Sequence, residues 1–208
     1  MKSLFFITTI AAINISGCTM ESLQEPNPTK TVPVGALDIY NLEHKVTLYS
    51  KVEFGRGAAI AFNDFRKSDK GYFGAFAYSS GSRDYSYGEA TGHNTLKTAR
   101  EYALDNCAVH LKGGPACKVI AVLTPMGFVD RHKMTLSKNI TKDLHNLRNA
   151  RKYIAIATND AGYADWVAGY DTQESANSEA LRLCDLRVKT QTPRHQKAYP
   201  CYLIPKQQ

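Results

Sequence analysis

The sequence predicts an α+β fold made of two tandem hairpin–helix–strand repeats, each with a helix packed on a small antiparallel sheet and one disulfide of its own. Three observations lead there. A sixteen-residue stretch is written twice: residues 92–107 read GHNTLKTAREYALDNC and residues 169–184 read GYDTQESANSEALRLC. Aligned without a gap, six positions are identical, pairing Gly92 with Gly169, Thr95 with Thr172, Ala99 with Ala176, Ala103 with Ala180, Leu104 with Leu181 and Cys107 with Cys184. Strand-like segments come before each copy, and one follows it. Finally, Cys107, Cys117, Cys184 and Cys201 bracket the loop between helix and closing strand once in each copy.

The elements follow in order. Residues 46–54, VTLYSKVEF, alternate through Val46, Leu48, Ser50, Val52 and Phe54, the period of a half-buried strand. AAIAF, 58–62, reads as a short strand after Gly55-Arg56-Gly57. Residues 72–78 and 85–91 flank the turn-rich SSGSRD and form a hairpin. The helix over about 95–111 carries Leu96, Ala99, Ala103, Cys107 and Leu111 on one face, and Gly113-Gly114-Pro115 ends it. CKVIAVLT, 117–124, is an apolar strand. The second copy repeats this order, with YIAIAT at 153–158, a turn at 159–162 and a return strand at 164–168. Its helix starts at Asp171 or Thr172, with Asp171 and Glu174 as a capping box. Ala176, Ala180, Leu183 and Cys184 line its inner face, and CYLI, 201–204, closes the unit.

The ends and the cysteines bear on location. Lys2 followed by the apolar run 4–15 reads as an export signal, too short to stay in a bilayer as a spanning helix. Its end, Ile15-Ser16-Gly17-Cys18, resembles the lipobox of bacterial lipoproteins. That resemblance implies cleavage before Cys18 and a diacylglyceryl thioether on its sulfur. With Thr19 rather than Asp after the cysteine, it also implies the outer membrane rather than the inner. Several acyl chains anchor stably where one does not. Three prolines fall within residues 19–36, which read as a tether. The expected organisation is signal peptide 1–17, lipidated tether 18–36, N-terminal strands with the first repeat 37–129, a basic connecting helix 130–152 and the second repeat 153–208.

Four cysteines remain once Cys18 is set aside, and they allow three pairings; the duplication favours Cys107 with Cys117 and Cys184 with Cys201. No C-x-x-C occurs and no histidine recurs between the copies, which weighs against a metal or redox site. The run from AFAYSSGSRDYSYGEATG through the Ala-Leu-x-x-Cys helix end to CKVIAVL also resembles a small exported bacterial domain of unknown function. Its pattern is an Ala-Ile-Ala strand, an aromatic-Gly return strand, a helix ending Ala-Leu-x-x-Cys and a strand opened by Cys. The likeness covers residues 72–123 well and 153–204 less tightly. It implies fold and location, and supplies no catalytic residue.

Net charge is +7, which for an exported chain favours anionic envelope material and leaves cytosolic nucleic acid out of reach. Residues 130–152 hold seven Lys or Arg against two Asp, with Ile140, Leu144 and Leu147 on one helical face. Lys138, Lys142, Arg148 and Arg151 are therefore candidate binding residues, together with the hairpin aromatics Tyr85, Tyr87 and Trp166. No nucleotide, metalloprotease or nucleophile-elbow motif is present, and no cofactor is expected. His93, with Asp84 or Glu89, is the weak catalytic candidate, requiring convergence of the three for general-base work on an envelope component. The expected function is binding of an envelope protein or anionic polymer by a membrane-anchored lipoprotein. The alternatives are a periplasmic inhibitor or immunity protein, and an envelope hydrolase.

Overall fold

The computed structural model describes residues 37–68, 71–80, 85–131, 133–147 and 152–204. The lipobox with Cys18, Asp84, Arg148 and Arg151 lie outside the described residues. Among those described, the chain is α+β, with four helices and small sheets.

The first sheet has strand order β2-β5-β3-β4, all neighbours antiparallel, from β2 (His44–Leu48), β3 (Gly74–Ser80), β4 (Tyr85–Ala90) and β5 (Lys118–Pro125). Its two faces are covered by different helices, because alternate side chains on the central strand β3 point opposite ways. Ala77 sits opposite Gly88, and this small-residue face meets α2 (Leu96–Val109). A Cβ at Gly88 would come within 2.3 Å of the Cys107 nitrogen and 2.4 Å of the Ala103 oxygen, so backbone lies against backbone here. On the other face, Phe76 meets Phe54, Phe62 and Phe65 at ring separations of 6.2, 5.2 and 5.7 Å. Phe62 and Phe65 belong to α1 (Arg56–Arg66).

Helix α1 corrects the short strand expected at 58–62. Ala58, Phe62 and Phe65 recur at helical spacing and pack inward, while Ile60 is exposed. A five-residue apolar window cannot separate the two periods; the longer one, extended to Phe65, decides for helix. The strand expected over 46–54 is also shorter. Pairing with β5 ends at Leu48, and Val52 and Phe54 pack on the core outside any strand.

The second sheet has order β8-β7-β9, antiparallel, from β7 (Tyr153–Thr158), β8 (Ala164–Tyr170) and β9 (Tyr202–Leu203). Ala155, Ala157, Val167 and Leu203 pack with Ala176, Ala180 and Cys184 of α4 (Gln173–Gln191). Ile156 and Ile204 pack the opposite way, with Leu136, Ile140 and Leu144. The last two are on α3 (Lys138–Leu147). The apolar run YIAIAT is thus a strand buried on both faces.

Between the sheets, the single basic helix expected over 130–152 is instead a strand and a shorter helix. β6 (Met134–Thr135) pairs in parallel with β1 (Leu37–Asp38), and α3 follows. Leu136 at the bend is almost fully buried, which anchors the break.

Both expected disulfides are formed, Cys107–Cys117 across ten residues and Cys184–Cys201 across seventeen. On the chain-entropy account each contributes about 3 kcal/mol by restricting the unfolded chain. Both long helices are capped by threonine: Thr95 accepts from the Thr98 N–H and Thr172 from the Ser175 N–H. The cap at α4 is therefore Thr172 with Ser175, correcting the Asp171–Glu174 box, and Asp171 forms an ion pair with Lys152 at 3.9 Å. No described helix is long and apolar enough to cross a membrane.

Candidate functional site

The two sheets meet through a buried polar junction built on Asn94, which is fully buried just before the cap of α2. Its Nδ2 donates to Thr158 Oγ1 at 2.8 Å and to the Asn159 carbonyl at 2.7 Å, and its Oδ1 accepts from the Ser137 N–H at 2.7 Å. The Asn94 carbonyl accepts from the Thr135 hydroxyl, and the Asn94 N–H donates to the Asp160 carbonyl at 3.1 Å. Asn159, also fully buried, donates to the Tyr199 carbonyl at 3.0 Å and accepts from the Tyr163 N–H at 3.1 Å. At Gly162, with φ +83°, an added Cβ would lie 2.1 Å from the Gly92 oxygen. The turn of the second hairpin is thereby seated on the entrance to α2.

A cleft of about 390 Å³ opens along this seam. It is lined by His93 and Tyr102 from the first unit, by Asn139 of α3, and by Tyr163, Gln191 and Gln196 from the second. Tyr163 donates its hydroxyl to the Gln191 carbonyl at 3.1 Å, and Gln196 Nε2 donates to Asn106 Oδ1 at 2.8 Å. Tyr102 donates to the Lys197 carbonyl at 2.6 Å, and burial raises its phenol to about 12.

His93 is only 6% exposed, with its ring edge-to-face on Tyr102 at 4.9 Å. Burial lowers its imidazole to about 4, against a smaller opposing effect of the Ala161 backbone, so the ring is neutral at pH 7. Its Nδ1 is enclosed and has no hydrogen-bond partner. The expected convergence with Glu89 is not found. Glu89 is exposed on β4 and lines a separate cleft of about 440 Å³ with Tyr87, Asn106, His110 and His195. His195 Nε2 lies 3.0 Å from Asn106 Oδ1 there. Glu89 and His93 thus face different clefts, because the helix entrance turns the imidazole inward while the strand turns Glu89 outward, and Asp84 lies outside the described residues.

The other candidates divide by packing. Tyr85, 43% exposed, lies over Gly55 and Gly57 and accepts from the Gly57 N–H at 3.2 Å, and Tyr87 stacks on Phe76 with planes 2° apart. Tyr85 thus packs on the start of α1, and Tyr87 packs on a neighbouring strand of the sheet. Trp166 is 50% exposed on the edge strand β8. On α3, Ile140 and Leu144 face inward and Lys142 is exposed, whereas the stem of Lys138 lies over Gly71. Lys133 is drawn into an ion pair with Asp38 at 3.2 Å.

Sequence reasoning missed Asn94, Asn159, Tyr102, Asn106 and Gln196. The side-chain partners of Asn94 are 43 to 65 residues away, so no local pattern marks it. No family model matches this chain, and no curated protein or solved structure matches it either. The resemblances read from the sequence rest on their own residues.

Proposed function

We propose that this chain is a membrane-anchored cell-envelope lipoprotein, lipidated at Cys18 and held at the outer membrane, which binds an anionic envelope polymer or the acidic face of an envelope protein. Its two hairpin–helix–strand units are copies of one domain. The matching strand orders β5-β3-β4 and β9-β7-β8, the paired threonine caps and the equivalent disulfides support duplication. Two disulfides also favour an oxidising compartment.

The observation that carries the binding reading is the orientation of α3. Its apolar side is packed with Leu136, Ile156 and Ile204, which leaves Lys142 exposed on the outward side. Arg148 and Arg151 extend this basic segment in the sequence. The triple variant Lys142→Glu, Arg148→Glu, Arg151→Glu is expected to weaken polyphosphate binding by about tenfold or more, or about 1.4 kcal/mol. It should also flatten the salt dependence of binding, since exposed charges act through screened attraction. Unchanged affinity and salt slope would overturn the basic-surface reading. The anchor has its own test: Cys18→Ser is expected to abolish fatty-acid labelling and block maturation, and retained labelling would sink it.

A further inference from the structure

We propose that the cleft at the seam between the two units is a binding site for an uncharged saccharide. Three observations on the molecule lead to this ligand class. Among the described residues no Lys, Arg, Asp or Glu lines the cleft, although the chain as a whole carries a net +7. Its polar lining consists instead of side-chain amides from Asn106, Asn139, Gln191 and Gln196 beside the rings of Tyr102 and Tyr163. Amides supply donors and acceptors together, which matches sugar hydroxyl and acetamido groups, and aromatic bodies accommodate the apolar faces of sugar rings. Among these residues a phosphate or carboxylate ligand would find no cation, and an ammonium ligand no carboxylate.

The second observation concerns unpaired polar atoms. Native interiors leave few buried polar atoms without partners, and each calls for an explanation. Among the described residues, three side-chain atoms are in that state: His93 Nδ1, Thr192 Oγ1 and Thr141 Oγ1. His93 lines the cleft, and Thr192 sits between two lining residues, Gln191 and Pro193. One of the three therefore belongs to a residue that lines this cavity. With its imidazole neutral, His93 adds no cation to this lining.

Position and size are the third. The cleft is formed jointly by both units and by α3, a junction of the kind that small-molecule sites prefer, and its 390 Å³ falls in their range of roughly 300–1,000 Å³. It is open on one side, which suits one or two residues of a longer glycan chain. Lys142 is not among the lining residues, so the two readings are tested through different side chains.

The test uses the full-length chain purified in detergent, titrated by calorimetry with chitotetraose, maltotetraose and, separately, polyphosphate. Saturable binding of at least one neutral tetrasaccharide is expected. Binding of chitotetraose alone indicates acetamido recognition, as in wall-type glycan, and binding of maltotetraose shows that hydroxyl groups suffice; both support the proposal. Asn139→Ala with Gln196→Ala should weaken saccharide binding by about tenfold or more while leaving polyphosphate binding and thermal unfolding unchanged. Lys142→Glu should do the reverse, sparing the saccharide. Absence of saturation by either tetrasaccharide at about 10 mM, weaker than any working Kd for such a site, would overturn the proposal. Saccharide binding that survives the cleft variant but falls with Lys142→Glu would do the same.

Discussion

Asn94→Ala is expected to lower unfolding stability by about 4 kcal/mol, the largest effect of any single polar substitution in the chain. Removing the amide leaves the Ser137 N–H, the Asn159 carbonyl and the Thr158 hydroxyl to find other partners in an interior closed to water. Each buried group left unpaired costs about 1–3 kcal/mol, and the small cavity adds to that. Thr158 keeps its bond to the Tyr163 carbonyl at 2.9 Å, which is why the sum stays below the upper limit. Asn94→Asp should rescue only in part. Its carboxylate still accepts from Ser137 but has no proton for the Asn159 carbonyl. Urea denaturation gives the measurement, with Asn146→Ala on the exposed side of α3 as a control expected within about 0.5 kcal/mol of the parent. A loss below about 1 kcal/mol for Asn94→Ala would show that the two units are not held together through this side chain.

Acid should weaken the fold through His93. The group titrates at about 4 in the folded chain against an ordinary 6.5, because burial disfavours its cation. A depressed histidine binds its proton more readily when the chain is unfolded. Stability is therefore complete above pH 6.5 and is lost as the pH falls from there towards 4. Over that window the loss amounts to about 2–3 kcal/mol. His93→Phe keeps an edge-to-face ring against Tyr102 and removes the proton site, so the variant should be flatter with pH and more stable than the parent at about pH 4.5. Comparing the two proteins also cancels Asp143, whose carboxyl is raised by burial and contributes with the opposite sign. Parallel pH profiles for parent and variant would mean that the imidazole is hydrated in solution.

How much was legible in the sequence depends on the range of the interactions involved. The hairpins, α2, α4 and the cysteine pairing were readable because each depends on residues at most about twenty positions apart. Helix α1 failed at this level. AAIAF satisfies strand and helix patterns equally, and only the Phe76 ring on the sheet selects the face that Phe62 and Phe65 must present. The connecting segment failed for a related reason: its charge was visible, but the break at Leu136 depends on an apolar pocket shared with Ile156 and Ile204.

The candidate site was less legible still. His93 and Glu89 looked like neighbours by sequence distance, yet a strand edge and a helix entrance send them into different clefts. The sequence by itself determined an α+β chain with two local disulfides and a basic segment between them. That much follows from periodicity, capping and cysteine spacing, which are local chemistry. Only the tertiary structure decided that the units close on each other through Asn94, that His93 is sealed and neutral, and that an uncharged cleft lies along the seam. Those features arise from contacts 41 to 65 residues apart, where desolvation and donor–acceptor matching in three dimensions choose the partners.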